Sequence, residues 1–320
     1  MRCNCGKLLK AIDAYLQKAD NDLEGELDAA GFADTGDTMD AIRSLEDEVA
    51  AALVEETELF TTATNEAVDL QTFADDIWPG VKLNDKLAKK LTGIFKDRLT
   101  EIMPGLVETY LQRTDKQLTL QQVSKLTTGW IEQWSEQLAE IMQLNSHTEI
   151  EKILETGLAN GDSIAVFTQN ILDSGIRDEY YKARRVAVTE VLTAHRAAQQ
   201  EAYRQSPAVS EKAWKHTGEF RNEPRENHVA MDGTRVPVDE PFELEGADGV
   251  IYLPMYPGAT NLPAKERINC HCICQPIVSE EILGLPLEER QRLQQEAIDS
   301  MDDEWERELD AQNRARAGIE

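Results

Sequence analysis

At about 150 residues per domain, a chain of 320 residues is long enough for roughly two domains, and 41% apolar content can furnish cores for both. Its 33 basic against 60 acidic side chains give a formal net charge of −27, which disfavours sequence-independent binding to a phosphate backbone and so a DNA-coating role. No run approaches the ~18 consecutive apolar residues of a membrane span. The opening Met1-Arg2-Cys3-Asn4-Cys5-Gly6 lacks the apolar core of a secretion signal, so the expected setting is a reducing cytoplasm, or a particle assembled there, with no membrane partner.

Residues 1 to about 205 read as successive amphipathic helices. Leu8, Ile12, Tyr15, Ala19, Leu23 and Leu27 recur at three- and four-residue steps, as do Ile42, Leu45, Val49 and Leu53. Gly31 to Asp40 reads as a connecting loop and Trp78-Pro79-Gly80 as a break, while Pro104-Gly105 should interrupt a third helical stretch running from Leu83. Thr119 is positioned to cap a helix carrying Val123, Leu126, Trp130, Trp134, Leu138 and Ile141 that ends near Asn145. Ser146-His147-Thr148-Glu149 fits a capping box and predicts a new start, with a stop at Asn160-Gly161. Asp162 or Ser163 then caps a short helix through Ile171, and a long helix follows from about Arg177 to Gln205.

After Ser206 the composition changes: eight of the eleven prolines fall between residues 206 and 278 and exclude long helices there. Asp232-Gly233 and Asp248-Gly249 sit between β-prone segments and predict two small hairpins. From about Glu280 the chain returns to helix. The expected class is therefore α+β, with an N-terminal helical domain (1–145), helices leading onward (146–205), a small Pro/Gly-rich β-hairpin module (206–278) and an acidic helical tail (279–320). Residues 280–320 carry 13 acidic and 5 basic side chains and residues 1–60 carry 15 and 5, against 8 and 10 for residues 177–228. Acidic ends of this kind serve as solubilising helix faces or dock onto a basic partner.

Five cysteines in two C-x-C clusters make a poor disulfide framework, because bridging residues two apart strains the ring. The unusual stretch is Asn269-Cys270-His271-Cys272-Ile273-Cys274. If extended, it places Cys270, Cys272 and Cys274 on one face, and an intervening hairpin can bring His228 and Asp232 to them across 42 residues. Zinc takes four such donors in a tetrahedron: His228, Cys270, Cys272 and either Cys274 or Asp232. The alternative is that the three cysteines are small buried apolar residues on the inner face of a strand.

His195 and His147 read as packing or surface residues. Lys215, Arg221 and Arg225 around Trp214 read as partners of Glu219, Glu223 and Glu226 rather than as a phosphate site. Were the cluster a catalytic metal site activating water, His228, Asp232 and the cysteines would form a metal-dependent hydrolase with Glu190 or Glu266 as general base. Were the region 177–228 a nucleic-acid surface, DNA affinity would fall steeply with salt.

Several of these pieces occur in a particular order. Ala183-Arg184-Arg185-Val186-Ala187-Val188-Thr189-Glu190 is followed by Trp214 and by Arg225-Glu226-Asn227-His228-Val229-Ala230-Met231-Asp232-Gly233. Phe242, Tyr256-Pro257-Gly258 and Glu266-Arg267-Ile268-Asn269-Cys270-His271-Cys272 come next. Over about residues 150–278 this series resembles the phage Mu F-like minor head proteins, also called head morphogenesis proteins. His271 stands where that family usually has Arg, and Cys274 is an addition. The residues beyond 278 read as acidic helices rather than as the toxin domain fused to some relatives. The resemblance implies a non-enzymatic virion component inside the capsid, made in the host cytoplasm. Its implied partners are the portal protein and other capsid components, in support of head assembly, genome packaging or DNA delivery.

Overall fold

The structure, a computed structural model, describes residues 19–174, 179–217, 224–301 and 303–317. Cys3, Cys5, Leu8, Ile12, Tyr15, Arg177, Glu219, Arg221 and Glu223 lie outside them, as does the side chain of Trp305. Most of the described residues are helical, and two small antiparallel sheets complete an α+β architecture. No described helix is long and apolar enough to cross a membrane.

The chain forms two compact units. One, the helical unit, comprises Ile42–Glu101 and Thr128–Val188. The other, the mixed unit, comprises the described residues of Met1–Ala41, Ile102–Thr127 and Thr189–Glu320. The units do not follow the change in composition at residue 206, although helix gives way to strand there.

Helix α1 (residues 19–30) ends at Gly31, whose φ of +93° only glycine adopts readily. The expected loop from Gly31 to Asp40 is shorter than predicted. Helix α2 (Thr35–Asn65) begins within it, with the Thr38 N–H donating to the Asp34 carbonyl at 2.9 Å. Ile42, Leu45, Val49 and Leu53 are all buried, as their spacing requires.

In the helical unit, α3 (Leu70–Thr72), capped by Asp69, runs through a π-helical turn at Phe73–Ile77 into α4 (Trp78–Asn84). Trp78-Pro79-Gly80 opens this helix instead of breaking the chain. Proline in the first turn has no intrahelical N–H bond to lose, so it suits a helix start. Phe60, Phe73, Trp78, Ile150, Leu154, Phe167 and Ile171 form the core.

Helix α5 (Leu87–Thr114) passes uninterrupted through Pro104-Gly105. Both residues are exposed, whereas Leu99, Met103, Val107 and Leu111 stay buried along one stripe. Burial of that stripe outweighs the single helical bond that proline forgoes. Helix α6 (Lys125–Asn160) likewise runs through Ser146–Glu149, where a new start was expected. Ser146 and His147 bond sideways to Glu56 and Asp85, and the apolar stripe continues without a break through Ile150 and Leu154. The predicted stop is found, with Gly161 at φ +70°. Ser163 then caps α7 (Ile164–Asp173) by accepting from the Val166 N–H.

In the mixed unit, α8 (Glu179–Gln205) leads from Thr189 onward into strand β1 (Val209–Lys215). β1 is the centre of a three-stranded sheet, flanked by β2 (Arg235–Pro237) and β5 (Ile273–Val278). Asp248-Gly249 makes the expected tight turn, between β3 (Leu244–Glu245) and β4 (Ile251–Tyr252), with Gly249 at φ +75°.

Asp232-Gly233 is not the tip of a tight hairpin but part of the longer connection between the paired strands β1 and β2. It follows a short helix, α9 (Glu226–Ala230), and docks on the end of β1, where the Gly233 N–H donates to the Trp214 carbonyl at 2.8 Å and the Trp214 N–H to that of Thr234 at 2.9 Å. After α10 (Ala264–Arg267), Asn269 takes φ +58°, a left-handed conformation that Asn tolerates better than most side chains. The strand therefore begins only at Ile273.

The C-terminal helices are α11 (Glu280–Leu283), α12 (Leu287–Ser300) and α13 (Asp303–Ala317). They are not merely a solvated tail. Arg290 of α12 is buried against Asp115 and Gln117, and Gln294 donates to the Thr119 carbonyl at 3.1 Å. Asn313 of α13 satisfies both the N–H and the carbonyl of Leu253, each at 2.9 Å.

Candidate metal centre

Three of the residues expected as zinc donors converge. His228 Nδ1 lies 3.5 Å from Cys270 Sγ and 3.9 Å from Cys272 Sγ, and the three donor atoms lie within 4.8 Å of one another. All three side chains are buried.

Each is fixed by neighbours that the sequence order supplies. His228 sits on α9, and its Nε2–H donates to Glu266 Oε2 at 3.1 Å. Glu266 is itself held by Asn227 Nδ2 and the Ala247 N–H, each at 3.1 Å. A carboxylate accepts only, so this contact places the ring proton on Nε2 and turns the Nδ1 lone pair to the sulfurs. Trp214 packs edge-on against the imidazole at a centroid distance of 5.4 Å. Arg225 donates to the carbonyls of Lys265 and Ile268 at 2.7 and 2.6 Å, tying α9 to the segment that leads into the cysteines.

The two thiols share a proton unequally. The hydrogen bond that Cys272 donates holds Cys270 well below the usual thiol range against the opposing effect of burial. Cys272, the donor of that bond, is pushed up by it and by burial. A thiolate beside a thiol and an imidazole lone pair is a donor set for a soft divalent metal.

The two candidates for a fourth ligand stand apart. Cys274 lies within β5, paired in register with Trp214; its carbonyl accepts from the Tyr203 hydroxyl at 3.2 Å, and burial pushes its thiol up to about 12. Asp232 is exposed at its turn, and its Oδ1 accepts the His216 N–H at 2.8 Å. His216, which sequence reasoning passed over, brings its Nδ1 to 3.6 Å from Cys272 Sγ. Its only sequence signal is a position one residue past the strand that carries Trp214.

Neither carboxylate considered as a general base stands free beside the sulfurs. Glu190 is buried against Arg267, whose Nη2 donates to both of its oxygens at 2.8 and 2.9 Å, and Glu266 is occupied by His228, Asn227 and Ala247.

His195 is wholly buried. Tyr110, which receives the Ala33 N–H, donates to its Nδ1 at 2.9 Å, and its Nε2–H donates to Thr38 Oγ1 at 2.8 Å. Burial lowers its pKa to about 3, so it is a neutral packing group at ordinary pH.

A second cluster, in the helical unit, escaped the sequence reading. Glu56, Asp85 and His147 meet there, with His147 Nε2 2.7 Å from Asp85 Oδ2. Burial raises Glu56 to about 8, and among the described residues its Oε1 has no hydrogen-bond partner.

Comparison with known proteins supports the kinship read from the motif order. The chain is 40% identical over 204 residues to an uncharacterized protein, YqbB, of Bacillus subtilis (strain 168). The match covers 64% of this chain and 66% of that protein, so the chain spans just under two thirds of its length. No solved structure matches. Residues 148–275 match the family described as phage Mu protein F like protein, an interval holding α8, Trp214, His228, Asp232 and all three described cysteines.

Proposed function

We propose that this protein is a minor head component of a tailed phage or prophage, acting in head morphogenesis at the inner face of the portal vertex. The observation that carries the reading is the match of residues 148–275 to the phage Mu protein F like family. On this reading it is assembled in the host cytoplasm, is enclosed in the capsid, and contacts the portal protein and other capsid components.

The chemistry is consistent with assembly. The motif residues serve to hold a fold: Arg225 fastens backbone carbonyls, Glu266 orients His228, and Asp232 secures the His216 N–H. With a net charge of −27, the protein would be repelled by packaged DNA, which favours a role through protein contacts over coating of the genome.

Co-expression with the portal protein tests the reading. The expected result is co-purification that survives moderate salt, together with heads of abnormal DNA content when the gene is deleted from the phage. Normal, fully infectious heads from the deletion would refute it.

A further inference from the structure

The geometry points to a closed Cys2His2 zinc site in which His216 is the fourth ligand beside His228, Cys270 and Cys272. The inference follows from donor atoms alone and does not depend on the head-assembly reading.

Three sulfur-to-nitrogen spacings fit the ion. Zinc binds sulfur at about 2.3 Å and imidazole nitrogen at about 2.0–2.1 Å, so a tetrahedron has a sulfur-to-nitrogen edge of about 3.6 Å. The three such edges seen are 3.5 Å (His228 to Cys270), 3.9 Å (His228 to Cys272) and 3.6 Å (His216 to Cys272). Both histidines present the same ring nitrogen, Nδ1, to sulfur.

His228 also has the backing expected of a ligand. Its Nε2–H rests on the buried Glu266, the carboxylate–histidine arrangement that orients metal-bound imidazoles and raises their basicity. The other imidazole is delivered from two sides. Asp232 accepts the His216 N–H, and the adjacent Thr217 hydroxyl donates at 3.1 Å to the carbonyl of His271, the residue between the two cysteines. His216 is half-buried at the end of β1 and stands outside the triplet of donors that lie within 4.8 Å of one another, so it would turn inward to complete the site.

This assignment changes the meaning of the motif. Asp232 is a positioning residue for a ligand, and Cys274 belongs to the hydrophobic interior. Two thiolates and two imidazoles select zinc over magnesium or calcium, and four protein ligands leave no open position for a reacting water, so the site is structural. On binding, the thiol proton that the pair retains passes to solvent and the metal cross-links β1, α9 and the segment before β5. Those pieces belong to a sheet region too small to bury much apolar surface by itself.

The test uses the full chain, purified without chelator and analysed for metal. About one zinc per chain is expected, replaceable by Co(II) with the intense visible bands of a tetrahedral ion and thiolate charge transfer. His216→Ala should weaken zinc binding at least tenfold, with weaker visible Co(II) bands as water enters, whereas Cys274→Ser should keep wild-type affinity. Should His216→Ala fail to fold, His216→Cys remains decisive, because a third thiolate must strengthen the charge-transfer band. Wild-type protein that neither contains zinc nor takes it up in titration would overturn the proposal. So would an unaltered Co(II) spectrum in His216→Cys, or loss of zinc in Cys274→Ser with retention in His216→Ala.

Discussion

Arg196 Nε donates to the carbonyl oxygen of Cys272 at 2.8 Å, so helix α8 grips the thiol segment by its backbone. The same guanidinium reaches the carbonyl of Cys270, and it lies over the ring of Phe32 at 5.5 Å. A lysine ammonium has no rigid fork with which to serve both carbonyls and would leave one of them buried without a donor. Arg196→Lys should therefore cost about 2–4 kcal/mol and speed the modification of Cys270 and Cys272 by a thiol reagent under native conditions. Calorimetry together with the labelling rate checks both parts.

The glycine beside this side chain makes a companion case. Gly258 adopts φ +73°, and a Cβ there would come 3.0 Å from Arg196 Nη1. Gly258→Ala must then strain its own backbone and displace the guanidinium from the carbonyls. A loss of about 1–3 kcal/mol is expected, with faster thiol labelling like that of Arg196→Lys. A loss of stability with unchanged labelling would confine the effect to the turn.

Glu266→Gln tests whether the carboxylate tunes a metal ligand or merely fills space. The amide keeps an acceptor near His228 Nε2 but removes the charge that strengthens the bond. Zinc affinity should fall by roughly 10–100-fold, measured by chelator competition, with little change in circular dichroism. Equal affinity would make Glu266 a packing residue.

Much of this site was legible in the sequence, and the reasons for the misses are physical. His228 and the first two cysteines could be paired because C-x-C spacing and an intervening turn are local signals with a geometric consequence. His216 could not, because it becomes relevant only once β1 is the central strand and its end meets the cysteine segment. Cys274 was grouped with the others by strand alternation, yet the strand starts after Cys272, and Asn269 turns the chain before it. The capping box at Ser146 is a genuine local preference that lost to tertiary partners, Glu56 and Asp85, while Ile150 and Leu154 kept the helix running. Pro104 misled for a similar reason: a helix tolerates it where burial on the opposite stripe is continuous.

His195 should leave an acid signature. Its pKa is about 3 when folded and near 6.5 when exposed, so between these values the unfolded chain binds more protons and the folded state loses stability as pH falls. The bonds from Tyr110 and to Thr38 fix the neutral Nε2–H tautomer. Ring nitrogen shifts measured by NMR should show that tautomer unchanged from about pH 7 down to about pH 4. Protonation of this ring near pH 6 would mean that the pocket admits water.

Glu56 works in the opposite direction. Burial raises it from 4.5 to about 8, a hydrogen bond with Ser146 offsets part of that rise, and Asp85 adds a second negative charge nearby. Between those pH values the folded state holds a proton that the unfolded chain has released, so the stability of the helical unit falls as pH rises through this window and levels off above about 8. Asp85 does not share this behaviour. Although burial pushes its carboxyl up, the bonds from His147, the Leu87 N–H and Gln143 hold it below the usual range, so it stays ionised and keeps repelling a Glu56 anion. Glu56→Gln removes the ionisation while keeping the shape. It should match the wild type below about pH 4.5 and exceed it by an amount on the order of a few kcal/mol above pH 8. Hydrogen exchange of the α2 and α6 amides at two pH values reads that difference within the helical unit. A wild type and variant that differ equally at both pH values would show that Glu56 is already ionised in the native state.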